Sequence, residues 1–328
     1  MAAKRKKLKV GNYYRPRRVG AFSSGCTPLD MVLGPGGWAE NRIANIVGDK
    51  STGKTLLLIE ACANFRAKHP KGRVILIEAE AAFDRDYAES LGFPSDAELI
   101  EDVFTVEALA RRLAEYAEST VPTLVGVDSL DALSDEAELG REMGQGTYGT
   151  GKAKGLSEMF RRLVKIMANG KLTLICVSQI RDNIGVTFGK KHTRSGGHAL
   201  DFYCSQVVWL RHLKRLDRTR KGVKREVGVR VSAKCEKNKV GYPFRECTFN
   251  LYFGYGTEDV EACLDWLLEH KQTGRVYGTV DEAKQDRKNV AKLAVEEYRE
   301  LLEEVRKAVR AGWSEIDKAF AVDRRKYL

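Results

Sequence analysis

Gly48-Asp49-Lys50-Ser51-Thr52-Gly53-Lys54-Thr55 fits the pattern G-x-x-x-x-G-K-[ST] at every fixed position. Ahead of it, Arg42-Ile43-Ala44-Asn45-Ile46-Val47 reads as a short buried strand, and behind it Leu56 to Lys68 reads as a helix without Pro or Gly. Strand, glycine loop and helix in that order aim consecutive backbone N–H groups and a positive helix end at one point. Triphosphate oxygens can there replace the missing helix partners. In that arrangement Lys54 reaches the β- and γ-phosphates and the Thr55 hydroxyl ligates Mg²⁺. A chance glycine turn would lack these two flanks.

Working outward, the same alternation repeats. Val74-Ile75-Leu76-Ile77 is an apolar run of the kind a parallel strand covered on both faces requires, and it ends in Glu78-Ala79-Glu80. Leu99 to Phe104 reads as a strand, Val106 to Ser119 as a helix, and Leu124 to Val127 as a strand closing on Asp128. Leu156 to Ala168 reads as a helix, and Leu172 to Val177 as a strand before Ser178-Gln179. Strand–helix alternation predicts an α/β fold with a largely parallel sheet. The six glycines of residues 140–155 predict a mobile loop, not a packed element.

Beyond Gly197 the texture changes. Gln206 to Leu213, Val227 to Ala233 and Thr248 to Phe253 predict an antiparallel extension with short connections, and everything from Thr257 onward reads as helix around a loop at Gly274 and Gly278. Leu293 to Val309 is amphipathic. The expected division is a basic N-terminal segment at 1–22, placed to dock on another subunit, a nucleotide-binding core at 23–257 and a small helical C-terminal lobe at 258–328.

Charge and cysteine content narrow the class. The 328 residues carry a net charge of +11, and residues 1–20 hold Lys4, Arg5, Lys6, Lys7, Lys9, Arg15, Arg17 and Arg18 with no acid. Such a tail attracts polyanions, and it reads equally well as a solvated leader or import signal. Seven scattered cysteines without a C-x-x-C pair argue for reduced thiols and against a zinc site. With no membrane-length apolar run and no secretory signal core, the expected location is cytoplasmic, associated with the nucleoid.

Polar groups that converge at strand ends carry the chemistry, because a nucleotide site in an open α/β sheet sits at the carboxyl ends of the strands. Asp128 suits the acid that orients Mg²⁺ and its waters. Glu80 suits a general base that aligns and deprotonates a water for in-line attack on the γ-phosphate. Gln179 can donate to a γ-phosphate oxygen and so report whether it is present. A lone acid at a strand end is often only a helix cap, and the phosphate loop beside these two is what tips the balance.

In this order the stretches resemble the RecA-type DNA strand-exchange ATPases, phage-encoded members included, from about Ser23 to Gly256. The likeness rests on Gly48–Thr55, Ile77-Glu78-Ala79-Glu80 with Asp84 and Tyr87-Ala88, and Val127-Asp128-Ser129-Leu130. It continues through Gly140-Arg141-Glu142-Met143-Gly144, Gln179 to Val186, Gly196-Gly197-His198-Ala199-Leu200 and Lys237-Asn238-Lys239. The resemblance implies a RecA-like P-loop NTPase core in which Glu80 activates water, Asp84 and Tyr87 lie near the adenine, and Gln179 links the γ-phosphate to a DNA loop. Lys237 and Lys239 would reach into the site of a neighbouring subunit, with ATP between protomers of a helical homo-oligomeric filament.

The DNA assignment has its own physical support. Ile180 to His198 carries Arg181, Lys190, Lys191 and Arg194 against one acid, Asp182, with Ile184, Val186 and Phe188 among them. Cations can neutralise phosphates while an apolar side chain wedges between bases. By resemblance Ile184 is the wedge, Arg181 a backbone contact and Gly196-Gly197 part of the same loop, while Lys154 and Arg161 follow the other DNA loop. Arg211, Lys214, Arg215 and Lys234 fall where the family's secondary duplex site lies. A solvated basic face is the plain alternative reading of these cations. The expected protein is a DNA-dependent ATPase that needs ATP and Mg²⁺, coats single-stranded DNA, exchanges strands with a homologous duplex and contacts no membrane. A ring helicase, a nucleotide-gated mediator with little turnover and a small-molecule kinase are the competing readings. The helicase usually needs an N-terminal ring domain and the kinase an arginine-bearing lid, and neither is evident.

Overall fold

Aliphatic runs too apolar to face water on either side force a sheet covered by helices on both faces. The structure, a computed structural model, describes residues 19–139, 150–167, 170–182, 192–194 and 197–321. In chain order, β1 (Ala21–Phe22), α1 (Thr27–Leu33) and β2 (Trp38–Ala39) precede β3 (Ile43–Gly48) and α2 (Lys54–Lys68). β4 (Arg73–Glu78), α3 (Arg85–Ser90), β5 (Glu98–Ile100), α4 (Val106–Ala117) and β6 (Thr123–Asp128) follow. Then come α5 (Glu136–Leu139), α6 (Thr150–Met167), β7 (Leu172–Asp182), β8 (His192–Arg194) and α7 (Gly197–Tyr203). The last described elements are β9 (Gln206–Arg220), β10 (Val223–Asn238), β11 (Arg245–Tyr252), β12 (Gly256–Thr257), α8 (Asp259–Glu269), α9 (Val280–Asn289) and α10 (Val295–Ala319).

The main sheet runs β12-β11-β10-β9-β3-β7-β6-β4-β5, with β8 beside β7. From β9 to β5 the neighbours are parallel, and β10, β11 and β12 add antiparallel strands at the other side. This is the expected α/β class. Alternation along each strand sorts the core into two layers. Ala44, Ile46, Val74, Leu76 and Leu124 face α1, α2 and α8, while Ile43, Val47, Ile75, Val125 and Val127 face α4 and α6. Each aliphatic side chain so buried contributes on the order of 2 kcal/mol.

Local expectations are corrected at three places. α6 begins at Thr150, so Gly151 and Gly155 belong to a helix where a loop was expected, while residues 140–149 lie outside the described residues. Packing outweighs propensity here: a Cβ on Gly155 would lie 3.3 Å from Val106 Cγ1, so glycine lets α6 and α4 approach. The strand expected over Leu99 to Phe104 stops at Ile100, and Phe104 instead accepts the Ser134 backbone N–H at 2.9 Å. The antiparallel extension is longer than its apolar runs. β9 has 15 residues and β10 has 16, joined by Lys221-Gly222 with φ of 49° and 75°.

The helices after Glu258 share the core of the sheet. Val260, Leu264, Leu267, Val305, Val309 and Trp313 belong to the layer that holds Leu29 and Val32 of α1. Buried Asp259 ties the two parts polar-to-polar, accepting from the Thr27 N–H at 2.6 Å, the Thr27 hydroxyl at 2.9 Å and Arg306 Nε at 2.7 Å. All seven cysteines are buried free thiols.

Candidate active site

The loop after β3 takes its shape from its glycines. A Cβ on Gly48 would come within 2.5 Å of Thr52 Oγ1, and Gly53, with φ +83°, would place one 2.1 Å from Leu251 Cδ1. Gly53 is the N-cap of α2, so the free N–H groups of the first turn open toward the loop. Asp49 organises the interior. Its side chain accepts the Lys50 N–H at 2.7 Å, and its carbonyl accepts Thr52 Oγ1 and Lys54 Nζ, each at 2.8 Å. Ser51 adopts a left-handed φ of 58°. Lys54 thus rests on a carbonyl of its own loop. Desolvation holds its ammonium below the ordinary range, opposed by the charges of Asp128, Glu80 and Asp49.

Thr55 Oγ1 donates to Asp128 Oδ2 at 2.6 Å, which joins the first turn of α2 to the end of β6. Burial pushes the Asp128 carboxyl up to about 6, opposed by the Thr55 hydrogen bond and reinforced by the charge of Glu80. A hydroxyl and a carboxylate side by side form an all-oxygen donor set that suits Mg²⁺. Buried Glu78 Oε2, which has no hydrogen-bond partner among the described residues, adds a free acceptor at the neighbouring strand end. The residues present therefore fit the ion.

Strand ends bring the remaining polar groups together. Glu80, two residues past the end of β4, accepts at Oε1 from both the Ser129 hydroxyl and Gln179 Nε2, the latter at 3.0 Å. Asp131 in turn holds the Gln179 backbone N–H at 2.7 Å. Thus Lys54, Thr55, Glu80, Asp128 and Gln179 meet, as the strand-end argument expects. Asp84 N-caps α3 by accepting the Tyr87 N–H at 2.9 Å. Both line a cavity of about 450 Å³ together with Ser51, Gly53, Thr55 and Phe83.

Three further residues of that cavity escaped sequence reasoning: Val229, Leu251 and Phe253 come from the antiparallel extension. Nothing local to those strands announces a contact with a loop some 200 positions earlier. Phe253 at 59% exposure and Tyr87 at 39% give the cavity two accessible aromatic faces.

Lys237 and Lys239 do not line this cavity. β10 runs antiparallel to β9, so its end returns to the amino ends of β3 and β9, across the sheet from the phosphate loop. There Lys237 Nζ donates to the carbonyls of Asp201 and Phe202, and Lys239 Nζ to that of Phe202 at 2.6 Å, capping α7. Desolvation, with the charge of Lys239 beside it, pushes Lys237 down to about 8. Phe202 is 72% exposed at the same place.

Lys154 and Arg161 are exposed on α6, two turns apart. The backbone of Arg181 lies near the end of β7 and Gly197 opens α7, while Ile184 and Gly196 fall outside the described residues. Arg211 stands opposite Ser232 and shares its sheet face with Lys234, which pairs with Glu236 at 2.7 Å. Arg215 parts company with them. It lies opposite core-facing Val229 and is bound to Glu226 at 2.8 Å.

A phosphate loop at the head of a helix, a hydroxyl–carboxylate pair for a divalent ion and a carboxylate at the next strand end define a P-loop ATPase on a mostly parallel sheet. The RecA N-terminal domain model matches residues 3–258. Protein RecA of Corynebacterium efficiens is 32% identical over 305 residues, spanning 92% of this chain and 77% of that one. Protein RecA of Frankia casuarinae is 35% identical over 263 residues, 80% of this chain and 74% of that one. The chain belongs to the RecA family of DNA recombination and repair proteins, with the ATP and DNA binding of that family.

Proposed function

We propose that this protein is an ATP-dependent recombinase that forms a filament on single-stranded DNA and promotes homologous pairing and strand exchange. The observation that carries the reading is the shared Glu80 oxygen, on which Gln179 and Ser129 both converge. A general base is there held by an amide on the strand that leads into the basic segment 183–191.

ATP enters the cavity with its base beside Tyr87 and Phe253 and its phosphates on the loop N–H groups. Lys54 exchanges the Asp49 carbonyl for a phosphate oxygen. Thr55 and Asp128 would hold Mg²⁺, which would supply charge neutralisation for the phosphates. Glu80 orients a water and takes its proton as the water attacks phosphorus, while the bond to the leaving ADP oxygen breaks. Freed from Glu80, the Gln179 amide donates to a γ-phosphate oxygen, so occupancy of the site alters β7 and the DNA segment beyond it. Lys237 and Lys239 leave the α7 carbonyls for the phosphates of a neighbouring subunit. DNA is held by Lys154, Arg161, Arg181, Ile184 and Gly196-Gly197, and the incoming duplex by Arg211 and Lys234. The working division remains a docking segment at 1–22, the ATPase core at 23–257 and the helical lobe at 258–328.

The test is ATP hydrolysis measured with and without single-stranded DNA. Hydrolysis should rise severalfold with DNA and fall at least a hundredfold in Lys54→Ala, since that ammonium is aimed at charge developing in the transition state. Hydrolysis indifferent to DNA in the parent protein would sink the proposal.

A further inference from the structure

Glu78 ends β4 two positions before Glu80 and is only 4% exposed. Its Oε1 accepts the Glu80 backbone N–H at 2.8 Å. Its Oε2 is buried without a hydrogen-bond partner among the described residues. Strand register fixes where that oxygen lies. Glu78 pairs with Asp128 across β4 and β6. The alternation that sends Leu76 and Leu124 to the α2 layer sends Glu78 and Asp128 to that same side. Thr55, on the first turn of α2, already reaches Asp128 from there. The charge of Glu78 also helps to raise the Asp128 carboxyl.

A buried carboxylate oxygen that forgoes a donor is costly, so a donor from outside the polypeptide belongs beside it. A water in the hydration shell of a divalent cation is a strong donor, and a cation held by Thr55 and Asp128 would lie on the same side of the sheet as this oxygen, at the neighbouring strand end. Mg²⁺ characteristically keeps several of its waters, which outer carboxylates then hold. We propose that Glu78 is a positioning residue that accepts a hydrogen bond from a Mg²⁺-bound water through Oε2 while its Oε1 holds the backbone of Glu80. Metal arrival and the placement of the base are then set by one carboxylate. The inference rests on the nucleotide site proposed above, but not on DNA or strand exchange.

Glu78→Gln separates the two oxygens. The amide keeps the size of the side chain and can still accept from the Glu80 N–H, but it presents N–H₂ where Oε2 accepted. The full-length protein is titrated with Mn²⁺ in the presence of β,γ-imido-ATP, with bound metal read by electron paramagnetic resonance. Expected is a 10- to 100-fold weaker Mn²⁺ affinity, the usual cost of losing an outer-shell partner, with nucleotide affinity in EDTA unchanged. Mn²⁺ affinity within twofold of the parent overturns the proposal, as does an equal loss of nucleotide affinity in EDTA, which would mark a merely structural role. Should Glu78→Gln not fold, Glu78→Asp retains the charge but withdraws it by one methylene. Weakened Mn²⁺ binding supports the proposal there, and parent-like binding overturns it. Absence of DNA stimulation in the parent would refute the recombinase reading while leaving this titration readable.

Discussion

On α2, six residues past Lys54, Glu60 turns away from the phosphates and accepts the Thr257 N–H at 2.6 Å and the Thr257 hydroxyl. The phosphate-loop helix is thereby tied to the strand that precedes α8. Burial pushes the Glu60 carboxyl from its ordinary 4.5 up to about 7, against the two Thr257 hydrogen bonds. An acid whose folded pKa lies above its unfolded one stabilises the fold fully below about 4.5, and that contribution is lost as pH rises through about 7. The difference is roughly 3 kcal/mol at about 1.4 kcal/mol per tenfold. Glu60→Gln can keep both bonds, because the Thr257 hydroxyl can rotate to accept. Urea unfolding at pH 5 and pH 8 should therefore show a smaller loss of stability with pH in Glu60→Gln than in the parent, by about that amount. Asp30, held by Ser23 and Ser24 and likewise pushed up to about 7, supplies part of the remaining slope. Equal slopes in the two proteins would show that Glu60 does not titrate in this range.

At the scale of an element, the β9–β10 ribbon has two chemically different faces. On one, Lys214 stands opposite Arg230, which Asp265 of α8 binds at 2.7 Å, Arg218 opposite Arg225, and Arg220 opposite Val223, with no acid of the ribbon among them. On the other, Asp217 faces Glu226, and the two are neutralised by Lys224 at 3.1 Å and Arg215 at 2.8 Å. The first face continues from Arg211, so in the proposed function it extends the track for duplex phosphates. Replacing Lys214, Arg220 and Arg225 with Ala should make the fall of duplex affinity with salt shallower, by up to about 0.9 in the log–log slope for each cation, with DNA-free ATP hydrolysis unchanged. An unaltered slope would remove the ribbon from the DNA path. The inner half of this ribbon was legible as the runs Gln206 to Leu213 and Val227 to Ala233, but its outer half was not, because it buries almost nothing. Hydrophobic runs announced β3, β4, β6 and β7, whereas in β9 and β10 hydrogen bonding between strands continues where the apolar pattern has ended. α6 misled for the opposite reason: Gly151 and Gly155 read as breakers, but a Cβ would run into Asp135 at the first and into Val106 of α4 at the second, so close contact favours residues without a side chain.

For the whole molecule, the sheet separates groups that the proposed reaction must unite. Lys237 and Lys239 sit at the amino-end edge and the phosphate loop at the carboxyl ends, so they can share one nucleotide only if a second subunit brings its own edge to the loop. Such a contact joins unlike surfaces and propagates head to tail, which generates a ring where the rotation closes and a helix where it does not, the helix being the form the proposed function requires. Mixing Lys54→Ala protein with a Lys237→Ala/Lys239→Ala variant tests this directly. Each alone should be inactive. Random co-assembly in equal amounts should restore on the order of a quarter of the parental hydrolysis, because a sound loop then meets sound lysines in one interface out of four. Mixtures as inactive as their components would show that the lysines serve only to cap α7.

Residue pattern alone specifies the strand–loop–helix at Gly48 to Thr55, the alternation that makes the sheet largely parallel, and the polar residues at its strand ends. These are local patterns, in which side-chain period and glycine position dictate the backbone within a few residues. Tertiary structure was needed to set Glu78 beside Asp128 on the α2 side of the sheet, to bring Val229, Leu251 and Phe253 to the cavity beside the phosphate loop, and to carry Lys237 and Lys239 to the amino ends of β3 and β9. Each of those depends on the register of strands distant in the chain: the short connections after Gly197 announced an antiparallel turn, but not which residues it sets side by side.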